Sequence, residues 1–311
     1  MVQLPILSPV SYRRITLAAL VALAFIIVTG AAVRLTGSGL GCPTWPSCEK
    51  GSLVPRGATG LNGVVEFANR MITGLVSVAV ILAVLGSFRR VPRRRDLTWL
   101  SVSLVAGVFA QAVLGGISVL VDLQPPFVMA HFLLSIVLVW LAVLLHHRAG
   151  EPDTPPHPVV APEVRAMGRV LVVATILVLL TGTVVTGAGP HGGDDKAERL
   201  AFFVPDVARI HGLAENVFLL AVLVTLWLLH RTGAPAVVRR RGQVLLAVLV
   251  AQAGVGYAQY FTGVPVLLVG IHVFGAVCVW IAVLHFHLGL WQRPEPVPAD
   301  EPAAVSFLTP A

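Results

Sequence analysis

Eight long apolar segments constrain this chain more than any other feature, because each is long enough to cross a lipid bilayer. At a rise of about 1.5 Å per residue, a helix of that length spans a hydrocarbon core of about 30 Å. The chain is 56% hydrophobic and 12% charged, whereas about a quarter of the residues in a soluble domain are charged. The sequence therefore predicts an all-α polytopic membrane protein, with spans over 15–33, 64–88, 97–121, 127–145, 167–185, 207–229, 244–261 and 264–290.

A set of three polar residues occurs twice inside these segments, and its corresponding members are 142, 141 and 141 residues apart. Self-similarity at a fixed spacing indicates a duplicated unit. Because each half has four spans, both halves enter the membrane in the same direction. We predict two tandem four-helix-bundle repeats related by a pseudo-twofold axis along the membrane normal. The repeated residues are Asn69, Gln111 and His131 in the first half and His211, Gln252 and His272 in the second.

Arginine-rich loops predict the orientation of the chain. Five arginines lie within 89–95 and four within 231–241, and loops of this kind stay in the cytoplasm. Both termini are then cytoplasmic, as expected of a multi-pass protein of the cell membrane. Topology also explains the net charge of +7, so nucleic-acid binding is the weaker interpretation. We divide the chain into an N-terminal half (1–148), a Pro-rich cytoplasmic linker (149–166), a C-terminal half (167–292) and a disordered cytoplasmic tail (293–311).

The repeated histidines are the first candidates for function, because histidine is expensive inside a membrane and is usually retained for chemistry. Histidines on two neighbouring helices can bind the two faces of a heme, and His211 with His272 forms such a pair. The alternative for either residue alone is a hydrogen bond to a backbone carbonyl. In the first half the pair is Asn69 and His131, and a carboxamide is a poor ligand for heme iron. A closed pair suits electron transfer, whereas an open face suits chemistry.

Two further groups lie toward the predicted outer side of the membrane. Glu66 shares a helical face with Asn69 and Arg70, either as a structural ion pair with Arg70 or as a general base or electrostatic stabiliser. Arg70 is a candidate for binding a porphyrin propionate, although snorkelling explains it nearly as well. Cys42 and Cys48 lie in the first outer loop, where a disulfide is favoured over metal binding. Such a disulfide either braces the loop or takes part in redox chemistry.

Short motifs in a fixed order resemble those of the heme A synthase family, and the resemblance extends to about Gln292. They are RLTGSGLGCPTWPSC after the first span, EFANR opening the second, FAQAVLGG in the third, MAHF in the fourth, VTGAGPHGGD after the fifth, ARIHG in the sixth, VAQAGVG in the seventh and GIHVFG in the eighth.

This resemblance implies an oxidoreductase that converts a methyl group of heme O to a formyl group, giving heme A for terminal oxidases. The family reaction consists of two hydroxylations, with oxygen derived from water, followed by loss of water. Partners are heme O, delivered by a heme O synthase, and a membrane electron acceptor such as a quinone; a homo-oligomer is left open. Residue by residue, the resemblance implies heme b ligands (His211, His272), a substrate-heme pocket (His131, Asn69, Arg70), a catalytic carboxylate (Glu66) and a disulfide (Cys42, Cys48).

One departure from the family concerns Asn69, where many members have histidine, so the ligation of the substrate heme stays open. The main alternative function is a non-catalytic membrane carrier of electrons with b-type heme. Such a carrier would need four equivalent histidines, and this chain offers three. A small-molecule transporter is a second alternative, but transporters tend to place polar residues at the middle of the membrane.

Overall fold

The computed structural model describes residues 6–56 and 60–295. This part of the chain folds into eight long helices and one antiparallel pair of two-residue strands, β1 (His157–Pro158) and β2 (Trp291–Gln292). All eight helices are long and apolar enough to cross a membrane, which confirms the predicted fold class. The helices are α1 (Pro9–Leu35), α2 (Gly60–Arg89), α3 (Arg95–Leu120), α4 (Pro125–Ala149), α5 (Pro162–Ala188), α6 (Val204–Arg231), α7 (Ala236–Phe261) and α8 (Val266–Leu288).

Most helices extend beyond the apolar segments that predicted them. Helix α1 begins six residues before Ile15, where Ser8 caps it by accepting a hydrogen bond from the Ser11 amide at 3.1 Å. Prolines occupy the first turn of α1, α4, α5 and α6, where the missing amide hydrogen would have no helical partner. Helix α5 accordingly begins at Pro162, inside the predicted linker. Most of the predicted disordered tail, residues 296–311, lies outside the described residues.

The helices form two rings of four, each closed by contacts between its first and last members. Helices α1 to α4 contact one another in sequence and α4 returns to α1, and helices α5 to α8 repeat this arrangement. The rings meet through α1, α4, α5 and α8. At their interface the indole Nε1 of Trp280 donates a hydrogen bond of 3.0 Å to the carbonyl of Ile136. This is the contact pattern that a duplicated four-helix unit would produce.

Connections between the helices lie on two sides of the bundle. We call the side with residues 36–56 the disulfide side and the side with residues 150–161 the linker side. His131, His211 and His272 all lie near the disulfide side, because each occurs in the first two or three turns of a helix that begins there. Glu66 likewise lies near the disulfide side, in the first turns of α2. The polar residues inside the spans therefore gather near one surface.

Arg94 joins the linker to both neighbouring helices on the linker side. Its side chain is almost completely buried and pairs with Asp96 at 2.7 Å. The same guanidinium donates to the carbonyls of Arg148 and Glu151 at 3.0 and 2.7 Å. Burial alone would raise the pKa of Glu151, but its hydrogen bond with His147 and the charges of nearby arginines bring that pKa below its usual value. The linker is thus held by charge as well as by the β1–β2 pair.

We expect Arg94→Met to lower the thermal stability of the detergent-solubilised protein, because it takes the nearer cation from Asp96 and the donor from the carbonyls of Arg148 and Glu151. Leaving a buried hydrogen-bonding group without its partner costs about 1–3 kcal/mol. Thermal unfolding followed by circular dichroism measures the change. The neighbouring exposed Arg95 offers the control, and an Arg94→Met midpoint equal to that of Arg95→Met would contradict the assignment.

Candidate heme sites near the disulfide side

The second ring brings the two predicted heme ligands face to face. His211 on α6 and His272 on α8 have ring centroids 6.3 Å apart, with their planes at 75°. Two metal–nitrogen bonds of about 2 Å, plus about 1 Å from each nitrogen to its ring centroid, would place two axial imidazoles about 6 Å apart. The side chains present therefore fit a heme iron between them. Within the described residues, no group of three or more His, Cys, Asp or Glu gathers to bind a bare metal ion.

Each of these two imidazoles is oriented through its Nδ1 side. Nδ1 of His211 lies 3.1 Å from the hydroxyl of Thr181. Nδ1 of His272 lies 3.1 Å from Nε2 of Gln252, which also donates to the His272 carbonyl at 2.9 Å. The Thr181 hydroxyl can accept a hydrogen bond from Nδ1 of His211, which leaves Nε2 available to a metal, as is typical around ligating histidines. The Gln252 amide nitrogen is a donor, so its contact positions the His272 ring without selecting that form of the imidazole. The surroundings of His211 and the ring separation therefore favour ligation over a purely structural role.

In the first ring, His131 has a similar but looser surrounding. The Gln111 amide donates to the His131 carbonyl at 3.0 Å, as Gln252 does to His272. The same amide also contacts the Ser135 hydroxyl instead of the imidazole. Nδ1 of His131 is buried and has no hydrogen-bond partner among the described residues. This imidazole is therefore positioned by packing and is less firmly oriented than its counterpart.

Asn69 takes the place that His211 has in the second ring. The Thr29 hydroxyl lies 2.8 Å from Oδ1 of Asn69, as the Thr181 hydroxyl lies 3.1 Å from the His211 ring. Both threonines are on the first helix of their ring and precede a glycine. The sequence shows the recurring Thr-Gly pair, but not that the threonine contacts the Asn69 or His211 side chain.

Glu66 binds the disulfide loop, which we define as residues 42–48. Its Oε2 accepts a hydrogen bond of 2.6 Å from the Cys42 amide, and its Oε1 accepts from Arg70 at 2.5 and 3.2 Å. Arg70 in turn donates to the carbonyls of Cys42, Thr44 and Ser47, each at about 3.2 Å. Both members of the predicted ion pair are thus engaged with the loop, which sequence reasoning did not foresee.

The disulfide loop lies against the first-ring site. Cys42 and Cys48 are bonded and completely buried, which confirms the predicted disulfide. The Trp45 ring packs on Gly116 so closely that a Cβ there would overlap it, and the adjacent Gly115 contacts the His131 ring. The loop therefore covers helices α2 and α3 beside His131.

The second long loop on the disulfide side connects the two rings. Nη2 of Arg34 donates to the Thr186 carbonyl at 2.7 Å, and the Gly39 amide donates to the Gly193 carbonyl at 2.8 Å. His191 places its Nε2 2.8 Å from the carbonyl of Val264, just before α8. The first contact joins the last turns of α1 and α5, and the other two involve irregular segments, so none was predictable from periodicity.

Eight membrane-length helices, with two histidines facing each other near one surface, define a multi-pass membrane protein with a candidate heme site. Comparison with known proteins agrees: residues 13–190 match the COX15-CtaA family, described as cytochrome oxidase assembly protein. Since this match covers more than half of the sequence, the chain belongs to that family.

Individual relatives share the name heme A synthase. The protein of Lysinibacillus sphaericus is 34% identical over 138 residues, 44% of each chain. That of Bacillus licheniformis is 30% identical over 135 residues, 43% of this chain and 44% of the relative. The protein of Listeria monocytogenes serovar 1/2a is 29% identical over 262 residues, 79% of this chain and 84% of the relative. The chain thus matches less than half the length of the first two relatives and most of the third.

We expect His272→Ala to open one face of the heme proposed for the second ring, because the remaining His211 would bind the other face only. The low-spin absorption spectrum of a bis-histidine heme should then be replaced by a high-spin one, measured on the purified chain. His230→Ala is the matched control, since His230 is an exposed histidine at the far end of α6. Identical low-spin spectra in the two variants would exclude His272 as a ligand.

Proposed function

We propose that this protein is a heme A synthase, an oxidoreductase that converts a methyl group of heme O to a formyl group. The observation that carries this proposal is the facing pair of His211 and His272 in the second ring, with Glu66 bound to the disulfide loop in the first. Membership of a cytochrome oxidase assembly family and the names of the relatives support it.

The proposed reaction is a stepwise oxidation at one carbon. Each hydroxylation replaces a C–H bond by a C–OH bond, takes its oxygen from water and releases two electrons and two protons. The geminal diol then loses water to give the formyl group. Electrons leave the site to a membrane acceptor, a quinone or another carrier.

The two rings have different roles in this proposal. His211 and His272 hold a resident heme b in the second ring, and when bound that heme supplies one-electron transfer. The first ring binds heme O as substrate, with His131 as its ligand and Asn69 on the opposite side. The contact pattern that the two rings share fits the predicted tandem repeat with its pseudo-twofold axis.

Glu66 is the proposed catalytic carboxylate of the substrate pocket. Because both of its oxygens already accept hydrogen bonds, electrostatic stabilisation is favoured over proton abstraction. Arg70 fixes the disulfide loop beside His131 and keeps the carboxylate in place. The pocket thus depends on α2, the loop and α4 together.

Localisation and partners follow from the same proposal. We place the disulfide side outside the cell membrane and the linker side in the cytoplasm, because the arginine-rich loops lie at the linker side. Heme O would be delivered by a heme O synthase. A homo-oligomer is compatible with the many apolar side chains exposed on the helices.

Expression in cells that make heme O but have no heme A synthase tests the activity. We expect heme A in acid-acetone extracts separated by chromatography, only when the chain is present. Heme O alone, with the protein folded in the membrane, would reject the enzyme. Two b hemes per chain without heme O or heme A would favour the electron carrier.

Glu66→Gln separates the charge of this residue from its contact with the loop. Glutamine can still accept the hydrogen bond from Cys42, but it loses the ion pair with Arg70. We expect the ratio of heme A to heme O to fall by about two orders of magnitude, with bound heme retained. The control is Glu198→Gln, which changes an exposed carboxylate in a loop on the same side. A normal ratio in Glu66→Gln together with a reduced one in Glu66→Ala would assign Glu66 to loop anchoring alone.

A further inference from the structure

The two helix rings differ in how their histidines pack on glycines. The imidazoles of His131, His211 and His272 each lie on a glycine of a neighbouring helix. A Cβ added to Gly115, Gly182 or Gly256 would come 3.0 or 3.1 Å from Cε1 of the respective histidine. At Gly30, the fourth position, an added Cβ would meet nothing within 4 Å.

Gly30 is the counterpart of Gly182 in the first ring. Each follows the threonine that contacts the side chain on the next helix: Thr29 contacts Asn69, and Thr181 contacts His211. In the second ring the imidazole fills the space over the glycine. In the first ring the shorter asparagine stays beside Thr29 and leaves that space open.

The Asn69 amide is only half used by the protein. One end lies against the Thr29 hydroxyl, whereas the amide nitrogen has no hydrogen-bond partner within the part of the chain that the structure describes. The side chain is partly exposed, so this end is accessible. Whichever way the amide is turned, a water molecule can pair with its free end, because water both donates and accepts.

We propose that the first ring binds its heme through His131 alone and keeps the opposite face, between Gly30 and Asn69, for a small polar ligand such as water. This inference rests on the proposed function, since it concerns the heme that the enzyme oxidises. A carboxamide ligates heme iron poorly, but it can hydrogen-bond to a small molecule on the open face. Asn69 is therefore a positioning residue for that ligand.

Carbon monoxide is the probe, because ferrous heme binds it readily only where an axial position is open. Purified protein carrying both hemes is reduced with dithionite and titrated with carbon monoxide. We expect about half of the heme to react in the unmodified chain. Asn69→His should abolish this reaction, because an imidazole there would fill the space over Gly30 as His211 fills that over Gly182.

The second ring provides the reciprocal variant. His211→Asn recreates the first-ring arrangement over Gly182 and Thr181, so the cofactor heme should become reactive to carbon monoxide. Asn69→Ala keeps the open face and removes the amide. In that variant carbon monoxide should still bind, with a shifted C–O stretching frequency in the infrared spectrum because its hydrogen bond is lost.

Three outcomes would overturn the inference. The unmodified protein with both hemes could fail to bind carbon monoxide, or Asn69→His could react with it like the unmodified chain. The C–O stretching frequency could also be unshifted in Asn69→Ala. If Asn69→His does not fold, an unreactive His211→Asn that retains its heme would also overturn it. Failure of the proposed function is distinguishable, because it would leave the first ring without heme O or heme A in the pigment extract.

Discussion

A polar side chain inside the hydrocarbon region is stabilised by a partner within the protein, and this constraint shapes most of the site, with Nδ1 of His131 among the exceptions. Unpaired polar groups are expensive in lipid, so such residues face the bundle interior and bind one another. Here the pairings cross between helices: Thr29 with Asn69, Thr181 with His211, and Gln252 with His272. The last two position a candidate ligand, and all three tie two helices together. Site and fold are therefore stabilised by the same contacts.

Close approach of the helices makes these pairings possible. Small residues at helix interfaces let backbones come near each other without a loss of packing. At Gly115, Gly182 and Gly256 that closeness is used by an imidazole ring instead of a second backbone. A Cβ at any of these positions would come within 3.1 Å of the imidazole, which would then have to shift by a few tenths of an ångström. The glycines thus set the position of the imidazoles as much as the hydrogen bonds do.

Much of the fold could be predicted from the sequence, because the apolar length of a span and the spacing of a repeat are local properties. The eight helices and the disulfide between Cys42 and Cys48 were predicted and are confirmed. The contacts of Glu66 and Arg94 were not, since each binds backbone groups of an irregular segment. Nothing in the periodicity of a helix reports which loop carbonyl or amide will lie beside its end. The glycine contacts were accessible in principle, because Gly115 and Gly256 share the 141-residue offset of the histidines.

In our proposal, two similar rings with different side chains at corresponding positions give one molecule two kinds of heme environment. A heme clamped by two oriented imidazoles changes little in coordination when it gains or loses an electron, which suits it to carrying electrons. A heme held from one side must be supported by something else, and in the first ring the disulfide loop, Glu66 and Arg70 surround the His131 neighbourhood instead. No comparable disulfide-bonded loop occurs over the second ring in the described residues. Asn69 and the disulfide loop therefore occur in the same half, which in our proposal is the half that binds the substrate heme.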